Sequence, residues 1–119
     1  METNFNFKSQ ICTTREQSER LLALGLKKET ADMCWIPLND GRCVIGISAE
    51  IKLDIIPAWS LHRLLCLIPG EVTIDGYTFP LRKDILCMLA TKDDDIYQAI
   101  VDVVTRSIEL GYINKEYLV

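Results

Sequence analysis

The sequence predicts an α+β domain, in which antiparallel β-hairpins, the second extended to a meander, pack with three helices in the order α-ββ-α-ββ(β)-α. Three observations predict it. Two Asp-Gly pairs, Asp40-Gly41 and Asp75-Gly76, each lie between short runs of alternating apolar residues, the pattern of a tight hairpin. Thr14 with Gln17, and Asp95 with Gln98, carry the three-residue spacing of a helix entry. The stretch "IPAWSLHRLLCLIPG", residues 56–70, reads as a helix between Pro57 and Pro69-Gly70. With 119 residues, 49% apolar and 25% charged, the chain suits one compact domain over residues 1–119.

The first helix is read in "TTREQSERLLALGL". Thr14 and Gln17 form a capping box, Gly25 is the C′ stop, and Leu26 folds back on Leu21 as in a Schellman motif. "CWIPLNDGRCVIGIS" follows as a hairpin. A two-residue turn at Asp40-Gly41 pairs Leu38 with Cys43, Ile36 with Ile45 and Cys34 with Ile47. That register makes one face wholly apolar and sets Trp35 over the bare backbone of Gly46. It keeps Cys34 and Cys43 apart, and Pro37 marks a free strand edge. Alternation continues through Ala49, Ile51, Leu53 and Ile55, with a bend expected near Ser48 to Glu50.

The second helix is read in "PAWSLHRLLCLI", with Pro57 at its first position. Leu61, Leu64, Leu65 and Ile68 form its apolar stripe. Trp59, His62 and Cys66 lie on a second, partly apolar face, with Arg63 beyond them. "EVTIDGYTFPLRKDILCMLATK" is read as a meander. Asp75-Gly76 pairs Ile74 with Tyr77 and Val72 with Phe79, and a third strand returns with Leu86 beside Leu81 and Met88 beside Phe79. Pro80 stands against that third strand. The last helix starts at Asp95, places Ile96, Ala99, Ile100, Val103, Val104, Ser107 and Leu110 on one face, and ends at Gly111.

Composition excludes several function classes. Net charge is −4, with eight basic and eight acidic residues in 1–63 against five and nine in 64–119. The adjacent basics are only Lys27-Lys28 and Arg82-Lys83, so no phosphate-tracking stripe is expected and nucleic acid is not a predicted partner. No apolar run approaches the roughly 18 residues of a membrane span. "METNFNFKSQ" lacks the pattern of a signal peptide, which predicts a cytoplasmic protein with reduced thiols at Cys12, Cys34, Cys43, Cys66 and Cys87. These cysteines include no C-x-x-C pair, and one histidine cannot complete a zinc set in the usual spacing, so no metal or other cofactor is expected. "GISAE" lacks the final glycine of a nucleophile elbow. Asp93 to Asp95 read as a solvated helix cap, and Glu50 with Asp54 as a solvent-facing row interrupted by Lys52.

These readings favour a non-enzymatic protein that acts through protein contacts, with a second copy of itself or another protein. Trp59, His62, Arg63 and Cys66 are its expected contact residues and Trp35 a further one, because Trp and Arg are typical interface anchors. The alternative is a small enzyme or ligand binder using His62 with Cys66 or a nearby carboxylate. A third reading is an accessory to nucleic-acid machinery without direct DNA contact.

The stretches "TTREQSERLLALGLKKETADMCW", "IPAWSLHRLL" and "ELGYINKEYL" resemble a group of short uncharacterised proteins from Bacteroidales genomes, often associated with prophages or other mobile elements. The resemblance extends over nearly the whole chain and rests on phrase-like similarity. It implies a bacterial or phage-borne cytosolic protein and transfers no active site.

Overall fold

A computed structural model describes residues 10–41, 43–47, 55–91 and 95–119. Within them the chain forms four helices and two small antiparallel sheets, an α+β arrangement. The elements run α1 (Arg15–Ala23), a 3-10 turn (Lys28–Thr30), β1 (Met33–Pro37), β2 (Cys43–Ile47), β3 (Ile56–Ala58), α2 (Leu61–Leu67), β4 (Val72–Ile74), β5 (Tyr77–Phe79), α3 (Leu81–Ala90), α4 (Ile96–Glu109) and a second 3-10 turn (Lys115–Tyr117). The expected bend at Ser48 to Glu50, the alternation through Leu53, and Asp93 and Asp94 lie outside the described residues.

The helix ends follow the signals read from sequence. Thr14 and Gln17 satisfy each other's backbone N–H groups at the start of α1, at 3.2 and 3.0 Å. At its end Leu26 N–H donates to Leu21 O and Gly25 N–H to Leu22 O, the paired bonds of a Schellman motif. Gly111 closes α4 the same way, with Tyr112 N–H donating to Ser107 O. The β4–β5 turn matches in full: Asp75 and Gly76 both have positive φ, and Val72 pairs with Phe79 and Ile74 with Tyr77.

Three sequence readings are corrected. The first is the β1–β2 register, which is shifted by one residue: Cys34 pairs with Gly46, Trp35 with Ile45 and Ile36 with Val44. The turn closes from Gly41 N–H to Leu38 O, and Asp40 lacks the positive φ that a two-residue type I′ turn demands. Ile36 and Cys34 therefore cover Gly46, where a Cβ would meet Ile36 Cδ1 at 2.7 Å. Trp35 lies on the opposite face.

The second correction concerns residues 56–60. Ile56–Ala58 is a third strand against β1, in the sheet order β2-β1-β3. Pro57 thus sits on an edge strand, where its missing N–H is tolerated, and the helix begins about one turn later than predicted, after the Ser60 cap. The third concerns residues 81–90. The returning strand of the meander is helix α3, which Pro80 precedes at the cap position, the place where a missing N–H costs least.

One hydrophobic core joins all four helices. Leu21 of α1, Trp59 before α2, Leu64 of α2, Ile68 just after it, and Ile100, Val101 and Val104 of α4 are fully or almost fully buried, with Ile85 and Leu89 of α3 packed beside them. The buried stripe of α4 is turned from the predicted one: Tyr97, Val101 and Thr105 are inside, while Leu110 is exposed. Helix α4 packs against three helices and so buries more of its circumference than a surface helix does.

A polar network ties the N-terminal segment to this core. Thr13 N–H donates to Trp59 O at 2.9 Å, and Trp59 N–H donates to Thr13 Oγ1 at 3.0 Å. Thr13 Oγ1 also bonds Ser18 Oγ, and Thr13 O accepts from Trp35 Nε1 at 2.9 Å. Both ends of α2 are fixed by distant residues. Asp32 accepts from Ser60 N–H and Oγ–H, while Tyr97 Oη accepts the Leu61 N–H. At the other end, Arg82 donates to Leu65 O and Ile68 O, placing a cation on the negative pole of the helix.

Burial sets the chemistry of Cys12. Desolvation, with smaller contributions from the charge of Asp32 and from Cys34, pushes its thiol up to about 11. Tyr97 is also raised, chiefly by burial and against the Leu61 N–H bond that favours its ionised form. Both groups release their protons more readily unfolded, so they leave stability intact below pH 9 and reduce it as pH rises toward 11. The urea midpoint is expected to hold steady from pH 7 to 8.5 and to fall above pH 9, by an amount worth on the order of 2 kcal/mol when Cys12 is fully ionised. A flat profile from pH 8 to 11 would contradict this account of Cys12.

Candidate functional site: a polar cleft and the outer face of α2

The five residues selected from sequence separate into two groups. Trp59 is completely buried, and its indole N–H donates to Thr30 Oγ1 at 2.9 Å. It is a core residue, not part of a surface stripe. The reason is the shortened helix: Trp59 precedes the Ser60 cap, so it does not share a helical face with His62 and Cys66. Trp35 is half-buried in the central strand and spends its polar atom on Thr13 O. His62, Arg63 and Cys66 are exposed on α2.

Two arrangements meet on this helix. The first is contact between His62 and Cys66, one turn apart, with Nε2 and Sγ separated by 3.6 Å. The second is a cleft of about 530 Å³. Arg63, Cys66 and Leu67 form its α2 wall, Lys27, Glu29 and Thr30 a second wall, and Glu116 with Tyr117 a third.

Long-range backbone pairing assembles the cleft. Leu26 and Leu118 form an isolated antiparallel bridge, Lys27 N–H donates to Tyr117 O at 2.8 Å, and Val119 N–H donates to Gly25 O at 2.7 Å. These bonds bring the chain's last residues beside the first 3-10 turn. The Trp59 indole, through Thr30, braces that turn from inside. Sequence reading missed Lys27, Glu29, Thr30, Glu116 and Tyr117 because no local motif joins residues about 90 positions apart. The only available signal was the apolar Leu26 directly after the helix-ending Gly25.

The cleft pairs two cations with two carboxylates around a thiol and a phenol. Such a lining suits a small polar ligand better than a phosphate chain, because the carboxylates offset the basic pair. Its size lies in the usual range for small-molecule sites. His62 does not line it, and among the described residues no carboxylate orients the His62 ring. The geometry therefore supplies a thiol beside an imidazole without the third, orienting member that nucleophilic catalysis uses.

All five cysteines are free. Cys12 and Cys34 are buried, Cys43 is half-buried, and Cys66 and Cys87 are exposed. A thiol reagent is expected to modify Cys66 and Cys87 first in the folded protein, with Cys12 and Cys34 reacting only on unfolding. Mass spectrometry of peptides after timed alkylation reads the order directly, and early labelling of Cys12 would contradict the burial described.

No protein-family model matches the chain, and neither a curated protein nor a solved structure matches it. No helix among the described residues is long and apolar enough to cross a membrane.

Proposed function

We propose that this protein works through protein–protein contacts and that its contact surface is the β4–β5 hairpin with the outer side of α3. The observation that carries this reading is the hairpin's apolar face. Val72, Ile74, Tyr77 and Phe79 lie on one side, and the Thr73–Thr78 hydroxyl pair lies on the other. Tyr77 is 71% exposed, Phe79 44% and Ile74 40%. A two-stranded hairpin is marginal in water unless its apolar face is covered. Leu86 and Met88 are further exposed apolar residues on α3, next in the chain. Exposed apolar side chains gathered on one face, as on this hairpin, are characteristic of an interaction site.

The occupant proposed is a second copy, since both hairpin edges and the apolar face are presented together and a twofold contact uses the same patch twice. This reading moves the contact away from Trp59, which is buried. It retains the expected class: a non-enzymatic, cytoplasmic protein in a bacterial or mobile-element setting. Light scattering behind a sizing column, under reducing conditions and with a chelator, tests it. The wild type is expected to elute as a dimer, and a Tyr77→Glu/Phe79→Glu variant with an unchanged far-UV spectrum as a 13.6 kDa monomer. A wild type that stays monomeric at all concentrations, or a variant that stays dimeric, would overturn the reading.

A second reading, a binder of a small polar ligand, is favoured by the cleft at Arg63 and Cys66. Protection of Cys66 from alkylation by such a ligand would support it.

A further inference from the structure

Four charged side chains line the cleft: Lys27 and Glu29 on one wall, Arg63 on the α2 wall and Glu116 on the third. None of the four takes part in an ion pair among the described residues, where Arg20 pairs with Asp102 and Arg106 with Glu109. Their backbones are held in place. Lys27 N–H donates to Tyr117 O, and Lys27 O accepts from Thr30 N–H and Oγ1–H, which fixes the turn that carries Glu29. Arg63 N–H donates to the Ser60 cap and Glu116 N–H to Asn114 Oδ1. Buried Leu67 and half-buried Tyr117 add apolar surface to the same lining.

We propose that this cleft binds a zwitterion of the amino-acid or short-peptide class, a ligand that carries a free ammonium, a free carboxylate and an apolar side chain. The ligand's carboxylate goes to Arg63, whose planar fork takes both oxygens, and to Lys27. Its ammonium goes to Glu29 and Glu116, and its side chain covers Leu67 and Tyr117. The argument is complementarity of charge. An anion placed between Lys27 and Arg63 also faces two carboxylates, and a simple cation placed between Glu29 and Glu116 also faces two cations. A ligand with both signs meets each wall with its opposite. Size agrees, because about 530 Å³ accommodates a free amino acid with water or a short peptide without it. Binding is reversible and no bond is made or broken. The inference rests on the small-ligand reading of the cleft and adds the ligand's class; it does not involve the hairpin contact.

The test is an amide NMR titration of the reduced full chain with four probes: leucine, glycyl-leucine, N-acetyl-glycyl-leucine and glycyl-leucine amide. Leucine or glycyl-leucine should give saturable shifts at Lys27 to Thr30, Arg63 to Leu67 and Glu116 to Tyr117, with a Kd of about 1 mM or tighter. The tighter of the two tells whether the free amino acid or the peptide is the better fit. Capping either end should weaken glycyl-leucine about fivefold or more, the scale of one partly exposed charge pair. The Lys27→Gln/Arg63→Gln double variant should lose the preference for the free carboxylate over the amide. The Glu29→Gln/Glu116→Gln double variant should lose the preference for the free ammonium over the acetyl form. Lys28→Gln, which removes a neighbouring charge outside the cleft, should keep both preferences. Equal binding of capped and free peptides, or preferences that survive both double variants, would overturn the zwitterion while leaving a small-ligand cleft. No saturable shift with any probe at about ten times that Kd would overturn the small-ligand reading together with this inference.

Discussion

Replacing Trp59 with alanine is expected to cost about 3–5 kcal/mol, the range for deleting a large buried aromatic. Its indole has no exposed surface and packs in the cluster formed with Leu21, Leu64, Ile68 and α4. Thr30 Oγ1 keeps its bond to Lys27 O when the indole is removed, so the lost hydrogen bond is a minor part of the cost. The cavity dominates, because the backbone at Trp59 is pinned on both sides by Thr13 and cannot collapse freely. Trp59→Phe should lose less, about 1–2 kcal/mol, since most of the buried area remains. Urea unfolding followed by far-UV circular dichroism measures both. The comparison also decides between two roles. A core residue moves the midpoint strongly; a contact residue would alter association and leave the midpoint within about 0.5 kcal/mol.

Helix ends and the second hairpin turn were legible because their causes are local. Thr14 and Gln17 satisfy backbone groups three residues apart, Gly25 and Gly111 occupy positive φ, and Asp75-Gly76 closes a turn that few other pairs accept. The α+β class follows from these units together. The register of β1 and β2 was not legible for an equally physical reason. "MCWIP" and "CVIGI" are apolar in both phases, so a slip of one residue exposes no charge and leaves the pattern no preference. The choice falls to long-range contacts: the Trp35 indole bond to Thr13 and the pairing of β3 on the far edge of β1.

Two other errors share a cause. Residues 57–60 carry good helix-entry chemistry, and residues 81–90 carry enough alternation to read as a strand. In each case a proline held the better information. Pro57 fits an edge strand as well as a first helical turn, and Pro80 fits a helix cap better than a middle strand. The candidate site was partly legible. His62, Arg63 and Cys66 do lie together on an exposed helix face, but Trp59 does not join them, because α2 begins four residues after Pro57 and Trp59 precedes its cap. The rest of the cleft depends on Leu26 meeting Leu118, a pairing that composition and periodicity do not encode.

Asp32→Ala is expected to lower stability by about 2–3 kcal/mol, the second-largest effect among these substitutions. Asp32 joins the end of the first 3-10 turn to the start of α2, accepting from Ser60 N–H at 2.9 Å and from Ser60 Oγ–H. Hydrogen bonds to a charged acceptor contribute more than neutral ones, and removing the acceptor leaves a partly buried N–H without a partner. The loss spreads, because Ser60 Oγ also accepts the Arg63 N–H at 3.2 Å and so caps α2. Asp32→Asn retains one acceptor oxygen and should lose roughly half as much. A double-mutant cycle with Ser60→Ala is expected to show a coupling of about 1–2 kcal/mol, which two independent residues would not give. The same substitution has an electrostatic consequence. Asp32 is the largest charge contribution raising the Cys12 thiol, so Asp32→Asn should bring that thiol down and make the alkaline loss of stability shallower. A neutral-pH midpoint unchanged by Asp32→Ala would mean that α2 is positioned by core packing alone. A fall of the predicted size, with zero coupling to Ser60, would place the energy in the Asp32 backbone segment rather than in the cap.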